Sequence, residues 1–239
     1  MTSSCWVIAI DGPAGSGKST VAAALARRLG VEHLETGAMY RAVALVALRR
    51  GENLDDAASL GQAARDLPAD PGDWWRAARG AGGGTSGDIT KDLRSAEVDA
   101  VVSKVASCPE VREEMVRRQV AWVRARGRGV VEGRDIGSVV LPDADLKVFL
   151  DASEDVRMSR RAAEMEMAGT DRDPAGLLER DRLDSSRGHS PLKVAEGAVV
   201  IDTTLKSADE IVDEVLRLLG EIGAADNRQQ PSGNGRNCG

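Results

Sequence analysis

A glycine-rich segment near the N-terminus has the residue types and the spacing to bind phosphate. Residues 12–19 read GPAGSGKS and fit the pattern G-x-x-x-x-G-K-[ST]. Glycines let the backbone N–H groups converge on phosphate oxygens, and the following helix adds its positive end. Lys18 would reach the β- and γ-phosphates of ATP, and Ser19 would offer a hydroxyl ligand to Mg²⁺. The predicted nucleotide-binding residues are Gly12, Pro13, Ala14, Gly15, Ser16, Gly17, Lys18, Ser19 and Thr20.

The loop alone leaves the fate of the γ-phosphate open. A glycine-rich turn without any ligand is the structural alternative, and water or a second substrate could each receive the phosphoryl group. A switch GTPase would need an Asn-Lys-x-Asp segment to read guanine, and the sequence contains none. A phosphotransferase should carry arginines aimed at both phosphate groups, because its catalysis is mainly positioning and charge stabilisation.

The loop must be held between a strand and a helix, and the flanking sequence provides both. The apolar run Trp6 to Ile10 predicts the strand, and the pattern VAAALARRLG predicts the helix. Further predicted strands are Val31 to Glu35, Gly129 to Glu132, Leu146 to Leu150 and Ala198 to Asp202. Further predicted helices are Gly37 to Arg50, Ser95 to Ala106, Val111 to Arg126, Glu154 to Met167 and Ala208 to Leu219. This alternation predicts an α/β fold with a parallel sheet covered on both faces.

Composition narrows the class of protein further. The chain has 239 residues, 42% of them hydrophobic, and a formal net charge of -6. We therefore expect a substantial core and no general attraction to nucleic acid or to an anionic membrane. The composition does not fix the oligomeric state, and we expect a monomer. The N-terminus lacks the features of a signal peptide, and no apolar run approaches the roughly 20 residues of a membrane-spanning helix. The sequence predicts a cytoplasmic protein.

Two segments do not fit the strand and helix pattern. Leu67 to Gly87 contains Trp74-Trp75 and a run of glycines, and it predicts a small insertion or flap. Residues 224–239 are small, polar and glycine-rich, with nothing to bury against a core. We expect them to form a disordered tail.

Short polar clusters follow the predicted strands, where open α/β sheets bind ligands. They read TGAMYR at 36–41 and EGRDIG at 132–137, and a third, RDRLDSSR, lies at 180–187. Together with the loop, these clusters resemble bacterial cytidylate kinases. The resemblance extends from Ile8 to about Leu219 and includes ITKDLR, PEVR, EGRDIGSVVLPDA and KVFLDAS in the same order.

The resemblance implies a nucleoside monophosphate kinase domain over residues 1–223. Its fold would be a P-loop three-layer sandwich with a five-stranded parallel sheet, a monophosphate-binding insertion at about 65–90 and a lid at about 157–175. The implied reaction moves the γ-phosphoryl group of ATP to CMP or dCMP, giving ADP and CDP or dCDP. ATP and Mg²⁺ would be required, and the substrates would be the only partners.

The resemblance also assigns roles to side chains. Near the acceptor nucleotide it places Thr36, Tyr40, Arg41, Ser103, Arg112, Arg134, Asp135, Arg180, Asp184 and Arg187. Arg157, Arg160 and Arg161 resemble the start of the lid. The residues implied in catalysis are Lys18, Arg134, Asp135, Arg157 and Arg161. The sequence alone gives no reason to expect a general base, because the attacking phosphate oxygen is already anionic at neutral pH.

Structural explanations remain open for these side chains. Arg41 could be an exposed helix arginine, and Tyr40 could be core packing. Arg112 with Glu113, or Arg134 with Asp135, could be surface ion pairs, and the same holds for the other arginines on helices. Two other functions remain as well. One is another small-molecule P-loop kinase acting on AMP, UMP or a metabolite, and the other is a nucleotide-regulated binding module.

Overall fold

The computed structural model describes residues 5–68, 70, 89–167 and 192–229. Most of the predicted flap, Leu67 to Gly87, lies outside the described residues. So do the predicted lid beyond residue 167, the cluster at 180–187, and residues 230–239 of the predicted tail.

A five-stranded parallel sheet forms the centre of the structure, as predicted. The strands are β1 (Trp6–Asp11), β2 (His33–Glu35), β3 (Arg128–Glu132), β4 (Leu146–Asp151) and β5 (Val199–Asp202). Their order is β2-β3-β1-β4-β5, and Ile8 of β1 lies opposite Val130 on one side and Leu146 on the other. The central strand is a nearly continuous apolar run because both of its faces are buried. The carboxyl end of β1 leads directly into the glycine-rich loop.

Eight α-helices are described. They are α1 (Lys18–Leu29), α2 (Thr36–Arg50), α3 (Ala57–Arg65), α4 (Ile89–Leu93), α5 (Ala96–Ser107), α6 (Pro109–Arg126), α7 (Glu154–Met167) and α8 (Ala208–Gln229). A one-turn π-helix, Ile136–Val140, follows β3. The short helices α3 and α4 were not predicted. Helix α8 extends to Gln229, so residues 224–229 of the expected disordered tail are helical.

The chain divides into two compact units. The first comprises Met1–Glu35 and Val123–Gly239 and contains the sheet. Helices α1 and α8 pack on it, and its buried core includes Ile8, Ile10, Leu25, Val130, Leu150, Ile201 and Val215. None of the helices among the described residues combines the length and apolar character that crossing a bilayer requires.

The second unit, Thr36–Trp122, is helical in its described part. Helix α2 packs against α3, α4 and α5, and most of its residues are buried, including Val43, Ala44 and Ala47. Asp56 caps α3 by accepting hydrogen bonds from the N–H groups of Ala58 and Ser59 at 3.0 and 3.3 Å.

Candidate functional site

Gly12, Gly15 and Gly17 of the loop after β1 all have positive φ, and at the first two a Cβ would also collide with a carbonyl oxygen. Gly12 has φ of +148°, and a Cβ there would overlap the carbonyl oxygen of Leu150. Gly15 has φ of +76°, and a Cβ there would lie 2.6 Å from the carbonyl oxygen of Arg157. The glycine spacing that predicted phosphate binding is therefore required by the backbone itself.

Hydrogen bonds within the loop converge on the carbonyl oxygen of Pro13. The Lys18 ammonium donates to it at 2.6 Å, the Ser16 hydroxyl at 2.9 Å and the Ser16 N–H at 3.4 Å. Ser16 is fully buried, whereas Ser19 and Thr20 are exposed at the start of α1. The loop thus keeps Lys18 folded over its own backbone, at the positive end of a helix.

Two arginines of α7 brace this loop from outside. Arg157 donates to the carbonyl oxygen of Ala14 at 3.2 Å, and Arg160 donates to that of Gly15 at 3.5 Å. Arg160 also binds the hydroxyl and the carbonyl oxygen of Thr203, at 3.0 and 2.6 Å. Thr203 is fully buried and donates to the carbonyl oxygen of Ser16 at 3.1 Å. The start of α7 and the segment after β5 therefore share one network with the loop.

Arg161, the third of the predicted lid arginines, is engaged along its own helix. Its guanidinium pairs with Glu164 at 3.0 Å. The hydrogen bonds to the loop described above come from Arg157 and Arg160.

A buried carboxylate lies immediately before the loop. Asp11 is 3% exposed, and its two oxygens accept the N–H groups of Ile136 and Gly137, each at 2.7 Å. Burial raises the pKa of Asp11 to about 6. The nearby Asp135 charge also raises this pKa, while the two N–H groups and Lys18 oppose the shift.

Arg134 and Asp135 follow β3 in the same unit. Arg134 is half-buried, and Asp135 is buried at the N-cap position of the π-helix. Glu132, the last residue of β3, is also buried, and its carboxylate lies 3.4 Å from the imidazole of His33. The structure thus brings Arg134 and Asp135 together on one turn that Asp11 contacts.

In the second unit, Arg41 is buried and held from two sides. One of its nitrogens lies 2.5 Å from the Asp99 carboxylate, and another donates to the carbonyl oxygen of Leu93 at 2.8 Å. This burial excludes the exposed-arginine explanation. Ionic hydrogen bonds of this kind fix a guanidinium more firmly than surface pairs do.

Tyr40 and Arg112 form a second buried pair in this unit. The Arg112 guanidinium lies 5.9 Å from the centre of the Tyr40 ring and donates to the carbonyl oxygen of Ala106 at 3.5 Å. Because Arg112 is 8% exposed, it is not the surface arginine that a pairing with Glu113 would require.

Thr36 and Ser103 belong to the same unit. Thr36 is buried at the start of α2, and Ser103 is half-buried on α5. Arg180, Asp184 and Arg187 lie outside the described residues.

The sequence interpretation missed Asp11 and Thr203. Both follow buried strand residues at the carboxyl edge of the sheet, where ligands and loops meet. A charged residue closing the apolar run of β1 was the available signal for Asp11. The signal for Thr203 was weaker: it directly follows Asp202, the last residue of the strand β5.

Together, the parallel sheet and the braced glycine-rich loop define a P-loop nucleotide-binding protein. The comparisons with known proteins are more specific: residues 8–221 match the family described as Cytidylate kinase, so the chain belongs to the cytidylate kinase family. The resemblance seen in the sequence is confirmed.

The curated relatives cover most of this chain. The cytidylate kinase of Rhodococcus opacus is 41% identical over 228 residues, which cover 92% of this chain and 97% of that protein. The cytidylate kinase of Corynebacterium glutamicum is 43% identical over 217 residues, covering 89% and 94%. Among solved structures, a gluconokinase from Sinorhizobium meliloti has a TM-score of 0.50 at 17% identity, covering 95% of this chain and 98% of that one. This last similarity shows the fold alone.

Proposed function

We propose that this chain is an ATP-dependent CMP and dCMP kinase, which produces ADP and CDP or dCDP. The observation that carries the proposal is the match to cytidylate kinases over residues 8–221. The braced phosphate loop supports the donor half of the reaction, and the buried arginines support the acceptor half.

The donor nucleotide would bind the loop of the first unit. Backbone N–H groups between Gly12 and Thr20 would hold its phosphates, and Lys18 would exchange the Pro13 carbonyl oxygen for β- and γ-phosphate oxygens. Arg157 and Arg161 would neutralise charge that spreads over the transferred group. This requires Arg157 to turn from Ala14, and Arg161 from Glu164, toward the nucleotide.

Mg²⁺ fits the donor set at the end of the loop. The exposed Ser19 hydroxyl is a hard oxygen ligand, and Mg²⁺ bound through nucleotide phosphates keeps most of its waters and needs few protein oxygens. When bound, the ion would neutralise negative charge on the β- and γ-phosphates.

Cytosine has a hydrogen-bonding edge that Arg134 and Asp135 could read. Its exocyclic amine would donate to the Asp135 carboxylate, while ring N3 or O2 would accept from Arg134. Arg112 and Ser103 are assigned to the cytosine nucleotide on the family resemblance alone. Uracil reverses the pattern at position 4, so Asp135 would face a carbonyl oxygen and reject it.

The acceptor phosphate and sugar need cationic and polar partners. We assign the phosphate to Arg41, with Thr36 and Tyr40 beside the nucleotide, because a buried guanidinium binds phosphate more strongly than an exposed one. Arg180, Asp184 and Arg187 are assigned to the sugar and the phosphate on the family resemblance alone. The anionic phosphate oxygen of CMP would attack the γ-phosphorus in line, and alignment of the two nucleotides would replace a general base.

The test is ADP release by purified enzyme with ATP, Mg²⁺ and CMP, dCMP, UMP, AMP or GMP. Lys18→Ala is the blank, and Lys104→Ala is the control, because Lys104 is an exposed lysine that pairs with Asp55. We expect CMP and dCMP to turn over preferentially, Lys18→Ala to abolish turnover, and Lys104→Ala to preserve it. Equal activity on all acceptors would favour a less specific P-loop kinase, and ATP binding without turnover would favour a binding module.

We also propose that the enzyme acts as a monomer in the cytoplasm, where its nucleotide substrates occur. Light scattering after size-exclusion chromatography tests the first part. A mass near the chain mass of 25.2 kDa is expected, and a mass twice as large would overturn it.

A further inference from the structure

The turn that carries Arg134 and Asp135 is capped by a residue from a different strand. The N–H groups of Ile136 and Gly137 open the π-helix Ile136–Val140, and both donate to the carboxylate of Asp11 at 2.7 Å. Asp11 is separated from them by 125 and 126 residues of chain. Such short bonds to an ionised acceptor are the strong class of hydrogen bond.

Asp135 itself occupies the N-cap position of this turn. An aspartate at that position ordinarily accepts the first N–H groups with its own side chain. Here the Asp135 side chain makes no capping hydrogen bond, and its backbone carbonyl oxygen accepts the N–H groups of Val139 and Val140 at 2.9 and 3.2 Å. The Asp135 carboxylate therefore does not take part in capping the turn.

The last two residues of β1 together fix the position of the turn. The carbonyl oxygen of Ile10 accepts the N–H of Gly133 at 2.9 Å, just before Arg134. Asp11 holds the residues just after Asp135. The Arg134–Asp135 segment is therefore attached to the central strand on both of its flanks, and that strand leads directly into the phosphate loop.

We propose that Asp11 is a positioning residue for recognition of the acceptor base. By capping the turn in place of Asp135, it keeps the Asp135 carboxylate directed to the exocyclic amine of a cytosine nucleotide. This inference rests on the proposed function of Arg134 and Asp135. Without the Asp11 carboxylate, the Asp135 side chain would rotate to cap its own turn, and discrimination between cytosine and uracil would fall.

The test variant is Asp11→Asn, which keeps the size of the side chain but places an amide group against two N–H donors. The quantity measured is the ratio of kcat/KM for CMP to that for UMP. This ratio does not depend on the fraction of enzyme that is folded, so reduced stability alone leaves it unchanged. We expect it to fall about tenfold, the effect of losing one charge-assisted hydrogen bond.

The substrate constants provide a second readout. In Asp11→Asn the KM for CMP should rise, while the KM for ATP should stay within about twofold of wild type. Asp145→Asn is the matched control, because Asp145 also accepts a backbone N–H, that of Val7 at 2.9 Å, at the opposite end of β1. It should retain the wild-type ratio. If Asp11→Asn yields no soluble enzyme, Asp11→Ser removes the carboxylate without introducing an amide and is measured in its place.

An unchanged CMP to UMP ratio in an active Asp11 variant would overturn the inference, and so would an equal rise in both KM values. Different results are expected if the proposed function itself is wrong. In that case wild-type enzyme shows no preference for CMP, or Asp135→Asn leaves the ratio unchanged. If wild type and Asp135→Asn both behave as proposed, a negative result with Asp11 concerns Asp11 alone.

Discussion

The phosphate loop of the first unit and the buried arginines of the second unit are built in opposite ways. The loop is one contiguous segment whose shape depends on backbone conformation, with glycine required at Gly12 and Gly15. The arginines Arg41 and Arg112 lie on different helices and are held by other groups, Asp99 and the Tyr40 ring among them. A site formed by the backbone should lose most of its activity when one of its glycines is replaced. A site formed by side chains should lose activity by an amount that depends on which side chain is replaced.

The largest effect is expected from Gly15→Ala. An alanine at φ of +76° is strained, and its Cβ would lie 2.6 Å from the Arg157 carbonyl oxygen, so the loop must deform. We expect a loss of at least about 100-fold in kcat/KM, together with weakened ATP binding by calorimetry. Gly30→Ala is the control, since Gly30 has φ of +65° but no atom near its Cβ position. An equal loss in both variants would mean that backbone strain, rather than the contact with Arg157, dominates.

Arg41→Ala should produce the next largest effect, confined to the acceptor. If Arg41 binds the acceptor phosphate as proposed, removing its buried guanidinium should raise the KM for CMP by about 100-fold and leave the KM for ATP near wild type. Arg49→Ala is the control because Arg49 lies on the same helix but pairs with Asp92 near the surface. A normal KM for CMP in Arg41→Ala would remove Arg41 from the acceptor site.

The same difference in construction explains what the sequence could predict. The strand, loop and first helix follow from an apolar run, a glycine pattern and a helical repeat that are contiguous in the chain. The other strands of the sheet were predicted from short strand-like runs bounded by turn residues, although β2 contains a single apolar residue, Leu34. The family resemblance, carried by clusters in a fixed order, was confirmed by the comparisons.

The parts of the site that the sequence did not predict depend on contacts between residues far apart in the chain. The bonds from Asp11 to Ile136 and Gly137 join residues more than a hundred positions apart, and no local pattern indicates that pairing. The contacts of Arg160 with Thr203 likewise depend on where β5 ends beside the loop. The helical residues after 223 were missed because local composition, with small and polar residues, favoured disorder.

The stability of the first unit should depend on pH through Asp11. Its pKa in the folded protein is about 6, raised by burial from 3.8, so ionisation of Asp11 opposes folding. The charged groups that act on it are Asp135 and Lys18. Its favourable contribution is fully present below pH 3.8 and is lost as the pH rises through about 6, a change of about 3 kcal/mol.

Urea unfolding of wild type and Asp11→Asn between pH 4 and pH 7 measures this contribution. The free energy of unfolding of the variant, relative to wild type, should increase across that range by an amount on the order of 3 kcal/mol. Contributions from other carboxylates cancel in the difference. A constant difference between the two proteins at every pH would show that Asp11 does not titrate in this range.

The smallest effect is expected from Asp99→Asn. The Asp99 carboxylate lies 2.5 Å from the Arg41 guanidinium. It would therefore compete with the acceptor phosphate that we assign to Arg41. Asparagine keeps a hydrogen-bond acceptor but removes the negative charge, so the KM for CMP should fall by about threefold. Asp92→Asn is the control, because Asp92 pairs with Arg49, and it should leave the KM for CMP unchanged. A higher KM in Asp99→Asn would mean that the carboxylate orients Arg41 more than it competes for it.

The central claim is that the loop delivers a phosphoryl group to a cytidine nucleotide. Incubating the enzyme with CMP and ATP radiolabelled at the γ-phosphate, and separating the products by chromatography, tests it directly. The account predicts label in CDP, little label in inorganic phosphate, and none transferred by Lys18→Ala. Label released as inorganic phosphate, or label in CDP that persists in Lys18→Ala, would contradict it.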